Sequence, residues 1–282
     1  MKDVFLLIDS GNTRIKWAYV PCTPPTTEQG FEQNSPWLAY GAVMHADSAQ
    51  LASQWQKLSE HHAVQGALIA NVAGTGARQQ ISAQLAQLNG THSLATQWFA
   101  SSHAAAGVRN GYRQPTQLGC DRFCAAIGAH ALLPGKNLIV ANCGTATTID
   151  GVSRDGQFIG GMIAPGLAMM AQALARNTAQ LPQLHHAMQS RVQLPHSFAD
   201  NTDDAIISGC ITASAGAIEK ALRDLEHRWA QPVHCVLSGG AAFALAPALT
   251  IAHQMLDNLV LHGLHTVLRS QAGIHPTSSS QE

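Results

Sequence analysis

Leu6-Leu7-Ile8-Asp9-Ser10-Gly11-Asn12-Thr13-Arg14-Ile15-Lys16-Trp17 is the stretch that decides the fold. An apolar run stops at an aspartate, turns through Ser-Gly-Asn-Thr and resumes as alternating Ile15, Trp17 and Tyr19, which is the pattern of a tight β-hairpin. Gly11 lets the main chain come close to a ligand, and Asn12, Thr13 and the N–H groups of the turn can donate to phosphate oxygens. Asp9, at a strand end, can orient Mg²⁺ through water, and Lys16 adds positive charge nearby. An ordinary Asx-type turn has the same Asp-x-Gly, so this stretch alone does not settle the matter.

A second copy does. Leu138-Ile139-Val140-Ala141-Asn142-Cys143-Gly144-Thr145-Ala146-Thr147-Thr148-Ile149-Asp150 again runs a buried strand into polar-x-Gly-Thr and out into a β-branched strand. Two hairpin loops of one design, far apart in the chain, point to a duplicated fold with one phosphate loop per half. Neither a Walker A sequence nor a Rossmann Gly-x-Gly-x-x-Gly after a strand is present.

Working outward, Val20 to Trp37 reads as a loop and Leu38 to Met44 as a strand. Ala46 to Glu60 and Ala77 to Leu88 have helical spacing around a buried strand at Gly66 to Val72, and Leu94 to Phe99 is a further strand. Strands alternating with helices give an α/β layout. Residues 100 to 118 break into Gly107, Gly111 and Pro115, with Tyr112 as a candidate exposed contact. Gly119 to Leu133 is a helix with Asp121 and Arg122 in its first turn. Asp121 suits a helix N-terminus, and Arg122 suits a substrate carboxylate. In the second half, Gln157 to Gly161 and Val233 to Leu237 read as strands. Leu167 to Ala175, Asp203 to Trp229 and Asp257 to Leu268 read as helices.

At 282 residues, 46% hydrophobic and 12% charged, the chain can bury the cores of two domains. We place these at 1–117 and 118–270, with a polar tail at 271–282. A formal charge of -1 gives no reason to expect nucleic acid or an anionic membrane as partner. No apolar run reaches the ~20 residues of a membrane span, and the first eight residues are too short for a signal peptide. The expected location is the cytoplasm. Six cysteines without a Cys-x-x-Cys pair fit reduced thiols. The fifteen histidines show no metal-binding spacing and read as surface composition.

The two loops, taken with Gly119-Cys120-Asp121-Arg122, Gly161-Met162-Ile163-Ala164-Pro165-Gly166 and Leu237-Ser238-Gly239-Gly240-Ala241, resemble the type III pantothenate kinases in content and order. The resemblance covers roughly residues 5 to 265. It implies two similar ribonuclease H-like domains of the actin-like ATPase superfamily, with a nucleotide cleft between them. It also implies phosphorylation of pantothenate by ATP to 4'-phosphopantothenate, at the start of coenzyme A synthesis, by a homodimer.

Carried over residue by residue, the resemblance implies phosphate binding by Asp9, Ser10, Gly11, Asn12, Thr13, Arg14, Ile15, Lys16 and Thr145. Asp121 becomes the catalytic carboxylate. Tyr112, Gly119, Cys120, Asp121, Arg122 and Thr178 become the pantothenate contacts, Thr178 lying in an Asn-Thr-Ala-x-Leu-Pro segment at 177–182. Mg²⁺ accompanies ATP through Asp9. Where family members carry an aspartate that helps hold a monovalent cation, K⁺ or NH₄⁺, this chain has Asn142. The amide brings no charge, so three outcomes stand open: weaker cation binding, a cation-independent enzyme, or a chain that phosphorylates nothing. A non-catalytic regulatory protein on the same fold is the rival reading, and Asp121 beside Arg122 argues against it.

Overall fold

The computed structural model describes residues 2–22, 36–59, 61–88, 94–177 and 197–272. In chain order its regular elements begin with β1 (Lys2–Ser10), β2 (Arg14–Pro21), β3 (Ala39–Met44), α1 (Leu51–Ser59), β4 (His62–Asn71), α2 (Gly74–Leu88) and β5 (Ala95–Phe99). A short hairpin, β6 (Ala104–Ala105) and β7 (Val108–Asn110), precedes α3 (Cys120–Leu132). Then come β8 (Asn137–Cys143), β9 (Ala146–Val152), β10 (Gln157–Pro165), α4 (Leu167–Asn177), α5 (Thr202–Trp229), β11 (Val233–Ser238), α6 (Ala242–Leu245), β12 (His253–Met255) and α7 (Leu259–Gln271).

The chain divides into two compact units. One comprises Met1–Ala106, Gln114–Gly128 and Val260–Glu282, the other Gly107–Arg113 and Ala129–Leu259. This differs from a single boundary at 117/118. The first two turns of α3 and nearly all of α7 belong with the N-terminal unit, because the two helices pack backbone to backbone. A β-carbon on Gly263 would stand 1.9 Å from the carbonyl oxygen of Cys124. Only glycine permits that approach.

In the first unit the sheet order is β3-β2-β1-β4-β5, with β1 to β3 an antiparallel meander and β4 and β5 parallel to β1. Covered on both faces, β1 is apolar without alternation, and Leu6, Leu7 and Ile8 are all fully buried. Helix α2 buries Ala77, Ile81 and Leu85, one residue per turn, while Leu51 and Trp55 of α1 join the core beneath the sheet. The helix expected from Ala46 starts instead as a 3₁₀ turn, His45–Gln50, before α1.

The second unit repeats the plan. Its sheet runs β12-β11-β8-β9-β10 and then extends through β7, again with an antiparallel meander followed by two strands parallel to the first. Helix α5 is apolar and long enough to cross a membrane by composition, but Ile207, Ile211, Ile218 and Leu222 lie in the core of this unit. Residues 100–118, expected to be irregular, contain the β6–β7 hairpin and a 3₁₀ turn at Pro115–Gln117.

Candidate active site

The first hairpin loop is short and braced. Ser10 pairs with Ile15 across β1 and β2, and the Gly11 N–H donates to the Arg14 carbonyl at 3.1 Å, leaving Asn12 and Thr13 exposed at the tip. The Ser10 carbonyl accepts from the Val72 N–H at 3.0 Å, which ties the loop to the end of β4. His45 closes it from a third side, its Nε2 lying 2.6 Å from the Gly11 carbonyl oxygen. Of the residues assigned to phosphate, Ile15 is fully buried in the core, so its main chain is all it can offer a ligand. Ser10 is also fully buried, and its Oγ has no hydrogen-bond partner among the described residues.

Asp9 and Lys16 stand opposite one another on the two strands. Burial drives the Asp9 carboxyl up to about 7, the Lys16 charge opposes this, and the charge of Asp121 adds to it. Two carboxylates from separate parts of the sequence thus lie close enough within one unit for one to act on the ionisation of the other.

Asp121 is held in the first turn of α3. Its Oδ1 accepts from the Arg122 N–H at 2.8 Å. Gly119 leaves room for the carboxylate, since a β-carbon there would come 2.7 Å from Oδ1. Burial raises the Asp121 pKa, and the Arg122 N–H and guanidinium pull it back. Arg122 itself is only 6% exposed. Cys120 donates its thiol hydrogen to the Asn71 carbonyl at 3.6 Å, and burial pushes that thiol up to about 11. It is a neutral brace between α3 and β4 and not a nucleophile.

In the second unit the Asn142 loop turns in three residues, with Cys143 pairing Thr147. The Cys143 carbonyl accepts from the Ala241 N–H at 2.9 Å, and the Thr145 carbonyl from the Gly166 N–H at 3.0 Å. The Gly239-Gly240 turn lies against this loop. A β-carbon on Gly239, whose φ is +91°, would sit 2.5 Å from the Cys143 carbonyl oxygen and 2.8 Å from Asn142 Oδ1. Thr145 is exposed at the tip. Tyr112 packs on Phe158 with ring centroids 5.9 Å apart, and its N–H donates to Asn110 Oδ1 at 3.0 Å. Thr178 lies outside the described residues.

The structure therefore unites Asp9 to Lys16 with Gly119 to Arg122 in the first unit, and Asn142, Thr145 and the Gly239-Gly240 turn in the second. Sequence reasoning missed His45 and Asn71, which contact the site through main-chain carbonyls and leave no periodic signal. The reading of the histidines as surface composition is corrected at His45, and at His262, half-buried with its ring centroid 4.8 Å from that of Trp37.

The family profile described as type III pantothenate kinase matches residues 5–224. A type III pantothenate kinase of Herminiimonas arsenicoxydans is 50% identical over 267 residues, covering 94% of this chain and 97% of its own. One from Janthinobacterium sp. (strain Marseille) is 49% identical over 265 residues, with coverages of 94% and 97%. Among solved structures, a putative 2-dehydro-3-deoxygalactonokinase protein from Sinorhizobium meliloti superposes with a TM-score of 0.56 at 15% identity, covering 95% of this chain and 99% of that one. That likeness is one of fold alone, that of two α/β units. With half of its residues shared along nearly the whole length of such relatives, and with the family profile covering both loops and the Asp121 turn, the chain belongs to the type III pantothenate kinase family.

Proposed function

We propose that this chain transfers the terminal phosphoryl group of ATP to the primary hydroxyl of pantothenate, giving 4'-phosphopantothenate and ADP. The observation that carries the reading is Asp121, a half-buried carboxylate of raised pKa, braced by the Arg122 N–H and standing near a phosphate-type hairpin with a second carboxylate. Asp121 accepts the hydroxyl proton as the new O–P bond forms and the bond between the terminal phosphorus and the bridging oxygen of ADP breaks. Because that transition state is loose, the proton leaves late, and Asp121 chiefly orients the hydroxyl. Arg122 is the candidate partner for the pantothenate carboxylate, with Tyr112 and Thr178 as further contacts.

Mg²⁺ bound with ATP supplies charge neutralisation on the phosphates. The residues fit it: Asp9 is a buried carboxylate at the end of β1, next to the loop assigned to the phosphates. A single carboxylate at Asp9, acting through water beside substrate phosphates, matches the way this ion binds. Lys16 and the N–H groups of the first loop hold phosphate oxygens, and Thr145 is a further donor from the second loop. With an amide at position 142 the monovalent cation is bound too weakly to set the rate.

The protein acts in the cytoplasm as a homodimer. Helices α4 and α5 pack together, and they expose Met169, Leu174 and a row of small residues, Ala205, Gly209, Ala213 and Gly216. Such a face suits a second copy of itself.

The test is pantothenate-dependent ADP release from Mg·ATP, run beside Asp121→Asn. Turnover that disappears in Asp121→Asn supports the reading. Absence of turnover by the folded wild-type protein in potassium, ammonium and sodium salts would sink it in favour of a regulatory role.

A further inference from the structure

In each unit the residue that follows the third strand of the meander touches the hairpin loop. His45 follows β3, and its N–H donates to the Thr13 carbonyl at 3.4 Å; Gly166 follows β10, and its N–H donates to the Thr145 carbonyl at 3.0 Å. They hold the same place in the two copies of the fold. What differs is the loop each one meets. The second closes between Cys143 and Thr147, the first between Ser10 and Ile15, one residue longer.

In the shorter loop no side chain fits at the contact, because a β-carbon on Gly166 would stand 2.2 Å from the Gly144 carbonyl oxygen. In the longer loop the corresponding carbonyl, that of Gly11, is met by a ring: His45 Nε2 lies 2.6 Å from it. A carbonyl only accepts, so Nε2 carries the proton and donates. The Gly11 carbonyl and the Asn12 N–H belong to one planar trans peptide and point in opposite directions. Holding the carbonyl towards His45 therefore aims the Asn12 N–H away from it, and the Thr13 carbonyl, held by the His45 main chain, does the same for the Arg14 N–H.

We propose that His45 is a positioning residue for ATP, fixing the peptide planes of the first loop so that its N–H groups are presented to phosphate before the nucleotide arrives. Without the imidazole the Gly11 peptide is free to rotate, and part of the binding energy goes into ordering it. The inference rests on the assignment of residues 9–16 to phosphate.

The experiment compares His45→Ala, His45→Asn and His45→Gln by steady-state kinetics in both substrates, with thermal melting of each and with Asp9→Asn as a control. The Gln amide nitrogen reaches the position of Nε2, whereas the Asn amide falls short. The expected result is a KM for ATP about tenfold higher in the Ala and Asn variants, with recovery in Gln. The KM for pantothenate stays within about twofold throughout. Should His45→Ala fail to fold, the Asn and Gln pair decides. A KM for ATP unchanged in Ala and Asn overturns the inference, as does a Gln variant no better than Asn, or equal losses in both substrates that track the melting temperature. Full activity in Asp9→Asn would instead show that the phosphates are held elsewhere, and the loop assignment would fail with it. An inactive Asp9→Asn beside silent His45 variants refutes the role of His45 alone.

Discussion

Asp9 and Lys16 face each other in register across the first hairpin, yet burial outweighs the lysine and leaves the Asp9 carboxyl at about 7. The site holds a carboxylate that folding alone does not favour. Lys16 favours its charged form in part, and a bound cation favours it further.

Asp9 should therefore make the nucleotide-free protein less stable as pH rises. The folded-state pKa lies above the ordinary carboxylate value, so between about pH 4 and 7 the folded protein holds the proton more tightly than the unfolded chain. Stability is greatest below that window and falls through it, by on the order of 4 kcal/mol if Asp9 acts alone. Asp9→Asn should flatten the slope and stabilise the protein at pH 8 while abolishing turnover. Urea titrations at pH 5 and pH 8, with no metal present, measure this; an unchanged slope in the variant would contradict it.

Gly119→Ala tests how finely Asp121 is placed. The new methyl group meets Oδ1 at 2.7 Å, and the carboxylate is a side-chain end that can swing aside, so the fold should survive. Displacement of the base by even an ångström lowers kcat by roughly a hundredfold, with the KM for ATP little changed. Retention of full kcat would mean that Asp121 does not act from this position.

Asn142→Asp should restore dependence on a monovalent cation. At ~4 Å and an effective dielectric of ~20, the added charge pair is worth about 4 kcal/mol before desolvation. Asn142 Oδ1 already lies close to the Gly239 turn, so a carboxylate of the same shape needs no new space. Initial rates across a potassium titration should be nearly flat in the wild type and rise to saturation in the variant. Identical titrations in the two would remove position 142 from the cation site.

Gly209→Arg should separate the proposed dimer without unfolding the protomer. Among the described residues nothing lies within 4 Å of a β-carbon built there, so the monomer has room for the side chain while a partner helix does not. Light scattering on the eluting peak gives the mass directly; a variant that stays dimeric moves the interface elsewhere.

The duplication was legible because it repeats a pattern: an apolar strand, a tip that carries Gly and Thr, and a return strand, at both 6–17 and 138–150. The Asp121 turn was legible because an acid and a base open an amphipathic helix. The extra residue in the first loop was not, since Asp9 and Asn142 both stand two positions before a glycine and only the pairing of the strands shows where each loop closes. His45 was hidden for a related reason. Its partner is a backbone oxygen 34 residues away, and any residue type supplies that atom. The place of α7 was equally unreadable, because helical periodicity gives the buried face of a helix and not the unit that buries it.

Helix α7, seated through Gly263 on the backbone of α3, sets an order on the birth of the protein. The first unit begins at the N-terminus, but Leu261, Leu264 and Val267 enter its interior from the far end of the chain. While the ribosome is still working, this half emerges early and waits, lacking a wall, as the whole intervening unit is made. The half bearing Asp9 and Asp121 is thus the first begun and the last completed. A chain released before α7 carries Asp9 and Asp121 without the helix that completes the body around them, and it is expected to be inactive.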